Sequence, residues 1–254
     1  MTSTTSATRR TIHVRTHKEV IPVSQRTLNT YARAGLWALP IYGLANLVGT
    51  LSSQPDYHKN FPAYASYIHT KSFLASHLVA SILGTGIGLL GFTALLVYLA
   101  SGRSPGIPVA GYVTTILGNM GMVAMFGVAA FAQPAIGNAF LAGHHDVIAL
   151  NSSVYGTAAN LTASVGMALF FAGAILFAIA ISRSRSLPRS AGIVFAVSVP
   201  IFAIGSITGT ALATIGALGE VVSAIWIARS ASRTRSDART TAVMGDQAPA
   251  ALGA

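Results

Sequence analysis

The sequence predicts an all-α polytopic membrane protein, a bundle of six transmembrane helices with both chain ends in the cytoplasm. Three observations predict it. Hydrophobic residues supply 52% of the chain and charged residues 9%, whereas a soluble domain wets its surface with roughly 25% charge. Runs without Asp, Glu, Lys or Arg recur along the chain, most of them near the ~17–25 residues that cross ~30 Å of hydrocarbon. The basic residues lie between and outside those runs, where membrane topology places them. A chain of 254 residues with so little charge needs an apolar solvent, and the lipid bilayer supplies it.

The first run, residues 34–51, contains Pro40 and is expected to form a kinked helix. The second, 73–100, spaces Ala80, Gly84 and Gly88 four residues apart, a groove for a neighbour's backbone. The third and fourth cover 108–132 and 158–182. The last, 190–228, is interrupted only by Glu220, and its 39 residues are too many for one crossing. As a single helix it would reach ~58 Å, about twice the hydrocarbon thickness. "AIGSITG" at 203–209 offers small, turn-forming residues for a hairpin, dividing the run into spans near 190–205 and 209–228. Pro200 should kink the fifth helix, and Gly209, Ala213 and Ala217 repeat the small-residue spacing in the sixth. "SILGTG" at 81–86 resembles "SITGTA" at 206–211. A repeated helical hairpin and the ordinary Gly/Ala bias of membrane helices both account for that.

The charges test the count independently. Arg9, Arg10, Arg15, Lys18, Arg26 and Arg33 precede the first span, and Arg103 separates the second from the third. Arg183, Arg185 and Arg189 separate the fourth from the fifth, and Arg229, Arg233, Arg235 and Arg239 follow the sixth. Six spans put these fourteen on one side and leave Lys59 and Lys71 on the other. The positive-inside rule makes the arginine side cytoplasmic. Five spans would strand the C-terminal arginines outside.

Three regions follow. Residues 1–30 form a basic, Ser/Thr-rich arm expected to be disordered against anionic lipid headgroups. Without an apolar core it is not a secretory signal, though a mitochondrial transit peptide has similar composition. Residues 31–230 form the membrane domain, and 231–254 a tail too polar and small to fold by itself. Arginine exceeding lysine, with abundant Ala and Gly, suits a GC-rich bacterial genome and hence the plasma (inner) membrane. The net charge of +10 is then a matter of topology, and no nucleic-acid partner is expected. The absence of cysteine excludes disulfides, thiolate metal sites and Cys nucleophiles.

Polar residues inside the spans are the candidates for function. Glu220 lies eleven residues past Gly209, about 16 Å into the membrane. Asn119, Asn46 and Thr85 fall at similar depth in the third, first and second spans. His77, Ser81 and Thr85 share one helical stripe. A charge at mid-depth costs at least ~2.5–3.5 kcal/mol, so such residues face the bundle interior or a wet cavity. Glu220 is therefore read in two ways. As a neutral acid it ties helices together through Asn46 or Asn119; alternatively it binds a proton, cation or small polar ligand on a path through the bundle. The opposite face gathers a second group, His58, His69, His77, His144, His145 and Asp146, with side chains suited to Zn²⁺, Cu²⁺ or Ni²⁺. No HExxH or similar spacing accompanies them, and histidines also sit comfortably in solvated loops.

Three function classes remain: a small transporter or channel-like protein using the Glu220 site, a structural or regulatory membrane protein, and a membrane enzyme or metal-handling protein using the histidine face. No catalytic motif or cofactor signature is present, so a non-enzyme is expected.

Overall fold

The computed structural model describes residues 25–52, 54–102 and 104–246, and among them there are helices and turns but no strand. The residues before 25 and after 246, which include most of the expected basic arm, lie outside the described residues. The helices are α1 (Gln25–Gly35), α2 (Ala38–Gly49), α3 (Phe61–Ile68), α4 (Lys71–Ser76) and α5 (Gly84–Ala100), with a π-helical segment, His77–Leu83, joining α4 to α5. After them come α6 (Gly106–Leu141), α7 (Val147–Val154), α8 (Thr157–Ser184), α9 (Arg189–Thr208) and α10 (Leu212–Asp246).

Five stretches are long and apolar enough to cross a membrane: Lys71–Ala100, Gly106–Leu141, Val147–Ser184, Arg189–Thr208 and Leu212–Arg233. These cover the second to sixth runs of the sequence, except that the sixth begins at Leu212 and not at Gly209. The first run differs from its expectation. Instead of one kinked helix it forms two, α1 and α2, parted at Leu36 and Trp37, and α2 has only 12 residues. Proline explains the break. Pro40 has no N–H for the Leu36 carbonyl and its ring crowds that position. The Leu36 carbonyl instead accepts from Leu39 N at 3.2 Å, a tight single turn. Pro40 then occupies the first turn of α2, where a missing N–H costs nothing.

The broken helix lies along α5 through a series of glycine contacts. A Cβ on Gly35 would stand 2.8 Å from Ala94 Cβ, and one on Gly91 would stand 2.9 Å from the Leu39 nitrogen. A Cβ on Gly88 would meet the Tyr42 ring at 2.7 Å, and one on Gly84 would meet Ala45 Cβ at 2.7 Å. Numbers rise along α1–α2 as they fall along α5, so the two run antiparallel over the same length.

The expected hairpin is present. α9 ends at Thr208, and Gly209 adopts φ 63°, ψ 32°, a left-handed cap that only glycine takes freely. Its N–H donates to the Gly205 carbonyl. Gly205 then packs on Ala213, Gly216 on Phe202 and Gly219 on Ser198, closing α9 on α10. The likeness of "SILGTG" to "SITGTA" does not extend to structure. Ser81–Leu83 close the π segment, whereas residues 206–211 span the end of α9 and the turn. α10 also continues as helix to Asp246, through part of the segment read as an unfolded tail.

Two apolar cores result. The larger is organised by Phe92, which stacks on Phe177 at 5.7 Å and meets Phe195 at 5.9 Å and Tyr42 edge-on at 6.0 Å. One ring of α5 thereby contacts α2, α8 and α9. The smaller joins Phe61, Tyr64, Ala65 and Ile68 of α3 to Phe73, Ile136 and Phe140. It caps the end of the bundle opposite the arginines.

Candidate functional site

Glu220 lies on the third turn of α10, on the face turned to α2 and α9. Small residues bring those helices close. A Cβ on Gly43 of α2 would stand 3.1 Å from Val221 N, and Gly219 packs on Ser198 of α9. Glu220 is 1% exposed. Its Oε2 accepts a hydrogen bond from Asn46 Nδ2 at 2.7 Å, a contact between residues 174 apart in sequence. Its Oε1 is buried and has no hydrogen-bond partner. One turn further along α10, Ser223 donates to the Glu220 backbone carbonyl at 2.9 Å and so has no proton left to donate to the side chain.

The seam carries a second polar contact beside this pair. Thr214 Oγ1 donates to Thr50 Oγ1 at 3.1 Å, and Thr50 donates in turn to the Leu47 carbonyl at 2.8 Å. Tyr42, buried and one helical turn before Asn46, lies on the same side of α2. α2 and α10 are antiparallel here, since Gly43 faces Val221 while Thr50 faces Thr214.

Of the four residues grouped at mid-depth in the sequence, the structure joins two. Asn119 is buried between α6 and α8, where its Nδ2 donates to the Thr115 carbonyl of its own helix at 2.8 Å. Thr85 is buried as well, and its hydroxyl donates to the Ser81 carbonyl at 2.6 Å. Neither reaches Glu220. Of the stripe of His77, Ser81 and Thr85, the first two lie in the π segment, whose wider turn shifts the register of an α-helix, and Thr85 lies in the first turn of α5. His77 Nδ1 lies 3.0 Å from the Phe73 carbonyl, and its ring lies against Phe73.

The histidine face does not close on an ion. Among the described residues no three His, Asp or Glu form a group that could hold a metal. His144, His145 and Asp146 are exposed at the turn before α7, and the His145 ring lies edge-on to Phe140 at 4.7 Å. The His58 ring lies tilted against Tyr57 at 3.9 Å, and His69 is exposed at the end of α3. Asp56 is committed locally: its Oδ1 accepts from the His58 N–H at 2.9 Å, which holds its carboxyl below the usual range.

Sequence reasoning missed a polar group inside that cap. Gln133 of α6 and Asn151 of α7 are buried, and Tyr64 donates to Asn151 Oδ1 at 3.4 Å. Burial pushes the Tyr64 hydroxyl up from its ordinary value. Gln133 lies in a stretch of ordinary span composition, and Asn151 was marked in the sequence only by its N-S-S pattern, so nothing there pointed to a buried polar group. Tyr42 was legible in principle, because it is four residues from Asn46 and so shares its face.

Neither of two surface clefts reaches Glu220. One lies between α8 and α9 at the arginine end, and the other between α6 and α8 around Gly121 and Gly166. No known protein family, curated protein or solved structure matches the chain.

Proposed function

We propose that the chain is a six-crossing plasma-membrane protein with both ends cytoplasmic, a small transporter or channel-like protein whose binding group is Glu220. α1–α2 is taken as the first crossing, because it runs the length of α5 and antiparallel to α10. The orientation follows from the arginines on one side of that topology.

One observation carries the functional reading: Glu220 keeps one carboxyl oxygen bonded to Asn46 and the other buried without a partner. A seam built only for cohesion would be expected to satisfy both oxygens, since a buried unpartnered polar group costs ~1–3 kcal/mol. An oxygen left free inside the membrane is suited to take up a proton or small cation. Acids within membrane spans are costly to place there and mark ion and proton paths.

A second reading has its own support. Neither cleft opens on Glu220, and the Asn46 and Thr50 bonds cross from α2 to α10, as a purely structural seam would require. Reconstitution separates the two. In vesicles loaded with a pH-sensitive or an alkali-cation-sensitive dye, the wild-type protein should dissipate an imposed gradient of the corresponding ion, and Glu220→Gln should not. Equal rates in both would remove the transport reading and leave the structural one.

A further inference from the structure

The cleft between α8 and α9 has a form that the Glu220 site does not explain. It encloses about 370 Å³ and opens on the side of the bundle. Ile175 and Ile179 of α8 form one wall, and Ile193 and Val197 of α9 form the other. At its mouth stand Arg183, from the last turn of α8, and Arg189, the first residue of α9. The two helices are antiparallel and joined by a short turn, so both arginines sit at the same end. From Arg183 back to Ile175, and from Arg189 on to Val197, the walls run eight residues, about 12 Å. That depth covers most of one leaflet of a ~30 Å hydrocarbon core.

We infer that this cleft binds one anionic phospholipid, its phosphate between Arg183 and Arg189 and one acyl chain along the isoleucine walls. The paired charges at the mouth suit an anion. Among the described side chains the one ion pair joins Lys59 to Asp56, and none of the described acids pairs with either arginine of the cleft. Arg189 also opens a 20-residue helix whose cap, Pro188, makes no side-chain hydrogen bond, so the positive end of the helix dipole adds to the same point. The walls require a chain. A free phosphate would use the arginines and leave the apolar groove empty, whereas a phospholipid fills both. Basic pockets between helices at the cytoplasmic surface recognise phosphate headgroups in this way.

The test uses the purified, delipidated full-length chain and native mass spectrometry. Phosphatidylglycerol and phosphatidylcholine with identical acyl chains are titrated in turn. Phosphatidylglycerol should bind at one site roughly tenfold to thirtyfold more tightly, as expected for two arginines at ~1 kcal/mol each. R183Q/R189Q should abolish that preference, and Ala196→Trp, which fills the groove, should weaken both lipids. R229Q/R233Q, which removes neighbouring arginines outside the cleft, should leave the preference intact. Inorganic phosphate should fail to displace the bound lipid. Equal binding of the two lipids, or a preference that survives R183Q/R189Q, overturns the assignment. So does a preference lost in R229Q/R233Q, or displacement by inorganic phosphate alone.

Discussion

Gly216→Leu should prevent the bundle from assembling, while the same change at Gly86 should be tolerated. A Cβ on Gly216 would fall on the Phe202 backbone, 2.5 Å from its Cα, and 2.8 Å from its Cβ. Backbone atoms cannot rotate away as a side-chain tip can, so α9 and α10 would have to part. Their separation would undo the close packing at Gly205 and Gly219 together, because all three lie on one interface. Overpacking a tight core typically costs 1–3 kcal/mol and sometimes more; with helix backbone on the receiving side, about 3 kcal/mol or more is expected. Gly86 is exposed on α5, and a Cβ there meets nothing within 4 Å. Replacing that glycine should change stability by no more than about 1 kcal/mol, in the favourable direction that helix propensity predicts. Yield of monodisperse protein and heat-induced unfolding measure both. Comparable folding of the two variants would contradict the α9–α10 packing described above.

Glu220 should reveal its seam through a small set of substitutions. Glu220→Gln retains an acceptor for Asn46 Nδ2 and places an amide nitrogen where Oε1 already lacks a partner. It should fold within about 1 kcal/mol of wild type, the range of a nearly isosteric swap. Glu220→Leu removes the acceptor, and the loss should be roughly 0.6–2 kcal/mol, the span of interhelical hydrogen bonds in membranes. Asn46→Leu should cost a similar amount. The double variant should cost clearly less than the sum of the two, because each single change leaves the other partner unsatisfied. Additive losses would mean that the 2.7 Å contact contributes nothing to cohesion. If the gradient assay fails in Glu220→Gln while this series shows a normal fold, the carboxyl acts by binding a proton or cation and not by holding helices.

Much of this architecture was legible from composition and spacing, because the membrane restricts the alternatives so severely. A charge-free run must be helical to satisfy its backbone, so the positions of five long helices follow from where the charges stop. The reversal at Gly209 was legible for a similar reason: 39 apolar residues exceed one crossing, and glycine marks where the chain can turn. The break at Leu36 was not. Pro40 announced a disturbance, but whether a proline kinks a helix or ends it depends on the neighbour that receives the freed carbonyl. The pairing of polar residues was less legible still. Depth along a helix can be counted from sequence, but rotation about its axis cannot be fixed to the same accuracy. Asn46 and Asn119 were thus equivalent candidates for Glu220. The glycines settle the choice in favour of Asn46. Gly43 admits α2 to α10, whereas the face of α6 at Gly118 is taken by α8, where a Cβ on that glycine would stand 2.6 Å from the Phe170 nitrogen.

In the proposed six-crossing topology α1–α2 crosses the membrane, which would bring Asn46 to Glu220 at mid-depth from a helix running the other way. Single cysteines introduced into this cysteine-free chain test it by their accessibility to a membrane-impermeant thiol reagent. Ser66 and Ser152 should label in intact cells, whereas Ser6, Ser104 and Ser186 should label only after the membrane is opened. Ser6 is decisive. Labelling at Ser6 from the same side as Ser66 would mean that α1–α2 does not cross, and the account of a six-crossing bundle with a mid-depth Glu220 site would be wrong.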